Sequence, residues 1–266
     1  MSRVEKRIKR KEELYDILQR MKRKRSEEYE VLEEVFDKST LLTIYDLMNK
    51  GIIGEIFGAV NAGKESKLYW GKSPEDEDIA IKIFLTVSAE FKRGMLTYIE
   101  GDPRFKHIKR DTRSLIYAWA QKEFKNLKRA CNAGVRVPKP IIVSKNVLVM
   151  EFIGEEGYSA PLMKDEPPEN PEKTLKTLLE YIKRLYRNAE LVHGDLSEYN
   201  VMIWNGEPVL FDFSQAVPLE HPMSDELLKR DIRNILRYFK KLGVEVPSSE
   251  NVYRWVVGDV ESYYER

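Results

Sequence analysis

Cysteine is nearly absent from this chain. Its one thiol, Cys131, cannot close an internal disulfide and cannot by itself assemble a zinc site, so neither a disulfide framework nor a structural metal is expected. Long apolar runs are missing as well. No segment reaches the roughly 18–20 uninterrupted apolar residues that a membrane span requires. The first residues are Lys, Arg and Glu where a signal peptide would be apolar. Together these absences predict a cytoplasmic protein with no membrane partner. Net charge is also close to absent: 45 basic residues against 44 acidic ones leave +1, so the molecule as a whole is no polyanion binder. No repeat of 20–50 residues excludes a solenoid. What remains is 42% apolar and 33% charged residues over 266 positions. That excludes a disordered chain and suffices for one large domain or two lobes sharing a cleft.

The balanced charge hides an asymmetry. Between Met1 and Arg25 stand 11 Lys or Arg and four acids, and Lys22-Arg23-Lys24-Arg25 is uninterrupted. Such a run is either a solvated helix or a basic arm for RNA or an acidic surface. Ile8, Leu14, Ile17, Leu18 and Met21 lie at roughly helical spacing, so packing on the body is an alternative. Residues 1–45 therefore read as a basic helical extension, 46–153 as a β-rich lobe with an inserted flexible loop and one helix, and 154–266 as a helical lobe. The β-rich stretch runs from Leu41 to Phe84, broken by glycines. In Ile79-Ala-Ile-Lys-Ile-Phe84 the period of two places Ile79, Ile81 and Ile83 on one face and Ala80 and Lys82 on the other. From Asp111 to Ala130, Ile116, Trp119, Ala120 and Leu127 form a helical stripe that Gly134 stops. Ile141–Val143 and Val147–Met150 read as a hairpin, and Gly154–Pro171, with four prolines, as a loop. Asn170-Pro171 opens a helix with the stripe Leu175, Leu178, Leu179, Ile182 and Leu185. Ser224 is expected to cap the last long helix, which ends at Lys240-Lys241 before Gly243.

The strongest chemical signal is His193-Gly-Asp195-Leu-Ser-Glu-Tyr-Asn200, followed by Val201–Trp204 and Phe211-Asp212-Phe213. An acid, an amide five residues on, and a second acid beyond a short hairpin is the layout of phosphoryl-transfer loops. Asp195 would accept or orient a hydroxyl proton, and Asn200 and Asp212 would hold Mg²⁺ on a triphosphate. Asn205-Gly206 suits a two-residue type I′ turn. In that register Trp204 meets Glu207 and Asn200 falls opposite Phe211, so two oxygen ligands converge at the hairpin's open end.

Lys82 is the second signal, because a lysine on an inner strand face needs an anionic partner. That partner is a phosphate or a carboxylate. Glu123, which lies between Ala120 and Leu127 on the apolar stripe, is the natural candidate. The segment Gly58-Ala-Val-Asn-Ala-Gly63-Lys64-Glu65 starts as a P-loop and then fails, because Glu65 stands where Ser or Thr is needed. It reads as a β-turn-β cover over phosphates, to which Lys64 adds charge.

These residues resemble the RIO family of atypical serine/threonine protein kinases, in its first subgroup. The resemblance covers about residues 50–240 and rests on Asn61-Ala-Gly-Lys-Glu-Ser66, Ile79-Ala-Ile-Lys82, Gly101-Asp-Pro-Arg-Phe105, Met150-Glu-Phe-Ile153, Val192–Val201 and Phe211-Asp-Phe-Ser-Gln-Ala216. It implies an α+β, bilobal protein-kinase-like fold with a β-rich N-lobe and a reduced helical C-lobe. By resemblance Asp195 is the catalytic base, Asn200 and Asp212 are metal ligands, and Lys82, paired to Glu123, binds phosphates. Gly63, Lys64, Glu65 and Ser66 form the phosphate loop. Glu151 and Ile153 lend backbone groups to adenine, and Met202 belongs to the same nucleotide-binding set. ATP with Mg²⁺, or Mn²⁺ in its place, is the implied cofactor pair. Asp212 is also a candidate phosphoryl acceptor during ATP hydrolysis. Within the motif, Asn61 and Ser66 stand where this subgroup usually carries serine and alanine.

The departures from ordinary protein kinases matter more. Ser197 stands where they carry a lysine, Phe213-Ser214 where they carry Phe-Gly, and no Ala-Pro-Glu follows. Only 54 residues remain after Asp212, too few for an activation segment and a peptide-docking subdomain beside the helix. The resemblance implies a kinase or ATPase acting in small ribosomal subunit maturation, with the subunit precursor and its RNA as partners through the basic N-terminus. Two alternatives stand beside it: a small-molecule phosphotransferase, and an assembly factor that uses ATP only as a conformational switch.

Overall fold

The computed structural model describes residues 36–264 except 64, 86–88, 107 and 110, and gives the backbone alone at 61–62 and 89–93. The basic arm at 1–25 and Lys64 therefore lie outside the described residues. The first element is helix α1 (Lys38–Asn49), which Asp37 caps by accepting from the Thr40 N–H. Strands β1 (Glu55–Ala62), β2 (Ser66–Lys72) and β3 (Asp78–Phe84) follow, then helix α2 (Ala89–Ile99) and a short 3₁₀ turn (Pro103–Phe105). Helix α3 (Thr112–Asn132) leads to β4 (Pro140–Ser144) and β5 (Val147–Glu151). These strands form one antiparallel sheet in the order β1-β2-β3-β5-β4.

The period-two reading of β3 decides how the sheet is covered. Ile79, Ile81 and Ile83 join Val147 and Val149 in a core closed by Ile44 and Leu47 of α1. Each such aliphatic side chain contributes about 1.5–3 kcal/mol by leaving water. Ala80 and Phe84 face the other way, against Ile116, Trp119 and Ala120 of α3. This second core continues without a break into the C-terminal lobe. The sheet is thus a layer between two helices, with Lys82 on the α3 side.

The hinge at Glu151 passes into a small hairpin, β6 (Gly154–Glu155) and β7 (Tyr158–Ser159). Helix α4 (Pro171–Arg187) buries Leu175, Leu178, Leu179, Ile182 and Leu185 on the expected stripe. Beyond it come β8 (Leu191–Val192), the hairpin β9 (Val201–Trp204) and β10 (Glu207–Leu210), and β11 (Val217–Pro218), which pairs with β8. Helices α5 (Ser224–Lys241) and α6 (Ser249–Val257) close the lobe, α6 packing on both α4 and α5. None of the described helices is long and apolar enough to cross a membrane.

Four local readings differ from the structure. Residues 38–49 are helical, so the β-rich stretch does not start at Leu41, and a boundary at 45 falls inside α1. The apolar face Ile44–Leu47 needs the sheet beneath it, which no local period reveals. The stretch read as an inserted flexible loop carries α2. The proline-rich stretch after Gly154 carries β6 and β7. Ser224 is not a cap: it is the first residue of α5, and its hydroxyl donates to the Leu219 carbonyl 2.8 Å away. The loop before the helix turns back on itself, and the hydroxyl serves that loop.

Candidate active site

The C-terminal side of the cleft is built on the β9–β10 hairpin. Asn205 and Gly206 both have positive φ, 52° and 75°, as a type I′ turn demands. Trp204 pairs with Glu207 and Val201 with Leu210, and the Phe211 N–H donates to the Asn200 carbonyl at 3.2 Å. The two candidate metal ligands therefore lie side by side at the open end, in the register expected. Asn200 spends its amide N–H groups on Asp195, donating to its carbonyl at 2.7 Å and to Oδ2 at 3.1 Å. That turns the amide oxygen toward any cation.

The opposite wall supplies the charge. Lys82 Nζ lies 2.8 Å from both Glu123 carboxylate oxygens and 3.2 Å from Asp212 Oδ1. Burial opposes a charged Lys82, but the Asp212 and Glu123 carboxylates override it and raise its pKa well above that of an ordinary lysine. Asp212 Oδ1 also accepts from the Ser214 hydroxyl at 2.8 Å. Burial pushes Asp212 up, yet Lys82 and Ser214 outweigh it and hold the carboxyl below the ordinary aspartate range. Both of these bonds fall on one oxygen, so Oδ2 remains for a metal. Burial and the Asp212 charge raise Asp195, while Asn200 pulls the other way. A carboxylate shifted toward neutrality suits proton transfer. Burial raises Glu65, and the charges of Asp212 and Asp195 add to that while Lys82 opposes it.

The hinge backbone bonds on both sides of Glu151. The Glu151 N–H donates to the Lys139 carbonyl, the Phe152 N–H to the Asp78 carbonyl, and the Ile153 carbonyl accepts from Ala160. Since β3 and β5 bond at the Asp78–Phe152 pair, Glu151 faces away from β3. The Glu151 carbonyl and the Ile153 N–H take no part in these bonds. The Glu151 carboxylate is held apart by Arg136, at 2.8 and 2.6 Å. Met202 packs with Ile153, Ala160 and Val209 in a small apolar cluster beside the hinge. Ser66 opens β2 opposite Phe84, and exposed Gly63 stands in the preceding turn.

An RIO domain model matches residues 67–252 of this sequence. The chain belongs to the RIO family. Among its relatives, the RIO-type serine/threonine-protein kinase Rio1 of Haloferax volcanii is 42% identical over 240 residues, covering 90% of this chain and 82% of that protein. The protein of the same name from Methanocaldococcus jannaschii is 40% identical over 236 residues, covering 89% and 80%. This is accordingly an atypical serine/threonine protein kinase of the RIO type. A similar solved structure is the Rio2 kinase-ADP/Mg²⁺-phosphoaspartate complex of Chaetomium thermophilum, with a TM-score of 0.61 and 19% identity over 81% of this chain and 65% of that one. The fold is therefore the bilobal RIO kinase fold. Only five residues separate β11 from α5, so the segment that ordinary kinases use for activation is absent here.

Several further residues shape this RIO cleft. Asp231 on α5 is buried and accepts the Gly194 N–H at 2.8 Å and the Leu196 N–H at 2.9 Å, anchoring the loop on both sides of Asp195. An acid on the apolar stripe of α5 is the available signal, the same one that marks Glu123. Gln215 Nε2 donates to Asp195 Oδ2 at 3.4 Å and has no signal. His193 is buried, and its Nε2 faces the Phe211 carbonyl at 3.1 Å, which assigns the proton to that nitrogen. Burial lowers it to about 4, so it sits there as neutral imidazole. Lys122 and Asn126 of α3 are buried beside Glu123 and reach the loop after Asp212.

Proposed function

We propose that this kinase transfers the γ-phosphoryl group of ATP, and also hydrolyses ATP, with Asp195 as base and Asn200 and Asp212 as Mg²⁺ ligands. The observation that carries the reading is the convergence of Asp195, Asn200 and Asp212 at one hairpin end, within reach of Lys82. Amide and carboxylate oxygens are the hard donors Mg²⁺ takes, and the rest of its octahedron comes from phosphates and water. When bound, the metal would neutralise charge on the triphosphate. Lys82 adds a positive charge directed by Glu123. Glu151, Ile153 and Met202 hold the adenine, and the Gly63–Ser66 turn covers the phosphates.

In the kinase reaction a serine or threonine oxygen attacks the γ-phosphorus, its proton passes to Asp195, and the bond to the leaving ADP breaks. In hydrolysis an Asp212 carboxylate oxygen attacks the γ-phosphorus as the bond to the leaving ADP breaks, and water then cleaves the acyl phosphate, giving phosphate and the free carboxylate. The phosphoaspartate named in the Rio2 complex supports that route by analogy. The cellular role proposed is small ribosomal subunit maturation, which rests on the family resemblance and the basic N-terminus.

Mass spectrometry after incubation with labelled ATP and Mg²⁺ tests the chemistry. Label on a hydroxyl or on Asp212 supports it, whereas no turnover at all would remove the assignment. Comparing turnover of the free protein and with small-subunit precursor particles tests the role. Stimulation by particles is expected, and turnover indifferent to them counts against it.

A further inference from the structure

One face of α3 carries more than the Glu123 carboxylate. Lys122 and Asn126 stand one turn apart beside it, and all three are buried, at 0%, 0% and 1% exposure. Lys122 Nζ donates to the Ser214 carbonyl at 2.9 Å and to the Ala216 carbonyl. Asn126 Nδ2 donates to the carbonyls of Phe213 at 3.0 Å and Ala216 at 2.9 Å. Two side chains from the first lobe's helix thus take three of the four carbonyls that follow Asp212. The loop they hold belongs to the second lobe, so these bonds cross the base of the cleft.

The placement is costly unless it serves position. An ammonium has been taken out of water, and its bonds are to main-chain carbonyls, supported by the Trp119 ring 5.1 Å away. An apolar residue of that length would pack there with less loss of hydration. Asp212 itself has φ 58°, the left-handed region, which a residue with a side chain holds only when its surroundings impose it. The four hydrogen bonds just beyond Asp212 are such an imposition. Burial brings the Lys122 amine down to about 7, and a neutral amine still has two N–H donors for two carbonyls.

The clamp is braced from outside. Arg104 Nη1 donates to Asn126 Oδ1 at 2.8 Å, which fixes the amide so that its NH₂ must face the loop. Asp102 holds the same guanidinium at 2.7 and 2.9 Å. Beside it Gly101, at φ 96°, lies against Pro222, where a Cβ would come within 2.8 Å of the ring. The turn at 101–105 is therefore wedged between α3 and the loop before α5.

We propose that Lys122 and Asn126 are positioning residues that clamp the Asp212 loop to α3, and so do by permanent hydrogen bonds what an activation segment does by rearrangement. This rests on reading Asp212 as a metal ligand. Glu123 would then set Lys82, while its neighbours set Asp212, and one rigid helix would register both sides of the phosphate site.

The decisive experiment titrates Mg²⁺ against ATP turnover and against binding of a fluorescent ATP analogue, for Lys122→Met, Asp212→Ala and the double variant. Lys122→Met is expected to raise half-saturating Mg²⁺ about tenfold, the loss of one or two hydrogen bonds, with metal-free nucleotide affinity changed less than about twofold. In the Asp212→Ala background the analogue titration should show no further shift, since the effect passes through that carboxylate. An unchanged Mg²⁺ midpoint in Lys122→Met, with Asp212→Ala shifted, overturns the clamp and leaves the ligand reading standing. An unchanged midpoint in Asp212→Ala ends the ligand reading and the clamp with it. If Lys122→Met does not fold, Arg104→Met decides the same question. That change removes the brace together with the Asp102 ion pair and should move the midpoint about threefold in the same direction, and a midpoint that stays put overturns the clamp.

Discussion

Two hairpins border the cleft, and they are built to different tolerances. In β9–β10 four residue pairs follow one another without a shift, closed by the tight turn at Asn205-Gly206. In β1–β2 the register shifts twice, between Ile56 and Ala59 and again between Ala59 and Asn61. The regular hairpin delivers Asn200 and Asp212, the proposed metal ligands, whose oxygens would have to meet one ion to within a few tenths of an ångström. The irregular one carries the glycine turn proposed to cover phosphates, where backbone that yields would be useful. On the proposed function, precision falls where the metal would bind and compliance where a nucleotide would enter and leave.

That contrast can be broken first at the base. Asp195→Ala should lower turnover by about 10²–10⁴-fold while nucleotide affinity stays nearly unchanged, because the carboxylate meets the attacking group. Steady-state turnover and nucleotide binding on one preparation check it. Retained turnover would falsify the role given to the regular hairpin's loop.

Next in size is the opposite wall. Lys82→Ala should cost about 10²–10³-fold in turnover through loss of a fixed charge at the phosphates. Glu123→Gln should cost less, about tenfold, since Lys82 keeps Asp212 as a partner. Equal losses would mean that the ion pair acts as a unit and that Asp212 does not hold Lys82 alone.

The two turns then separate by stability. Gly206→Val forces a β-branched residue to φ 75° and should cost about 1–2 kcal/mol. That predicts a melting temperature lower by about 2–8 °C in differential scanning calorimetry. The smallest effect belongs to the compliant hairpin. A Cβ at Gly58 meets nothing within 4 Å, so Gly58→Ala should shift stability by no more than about 0.5 kcal/mol. A large loss there would show β1–β2 to be as tightly specified as β9–β10.

The β9–β10 hairpin is legible in the sequence because its causes are local. Asn-Gly selects one turn, the turn sets the register, and the register carries Asn200 to Phe211. Lys82 and Glu123 are legible for a different reason. Each is a charge on an otherwise apolar face, and each is a fitting partner for the other. Asp231 obeys the same rule on α5 but sits in a helix rich in surface acids and bases, where one more charge draws no notice. Lys122 is hidden likewise among the lysines of α3.

By itself, then, the order of residues determined the β4–β5 and β9–β10 hairpins, the stripes of α3 and α4, and the family, since each follows from periods and turns spanning a few positions. The tertiary structure alone decided that α1 lies on the sheet, that Ser224 serves a loop and caps nothing, and that Lys122 and Asn126 point at residues some 90 positions away. A buried polar group declares that it needs a partner, but which carbonyl meets it depends on how two lobes come together. No local pattern encodes that distance.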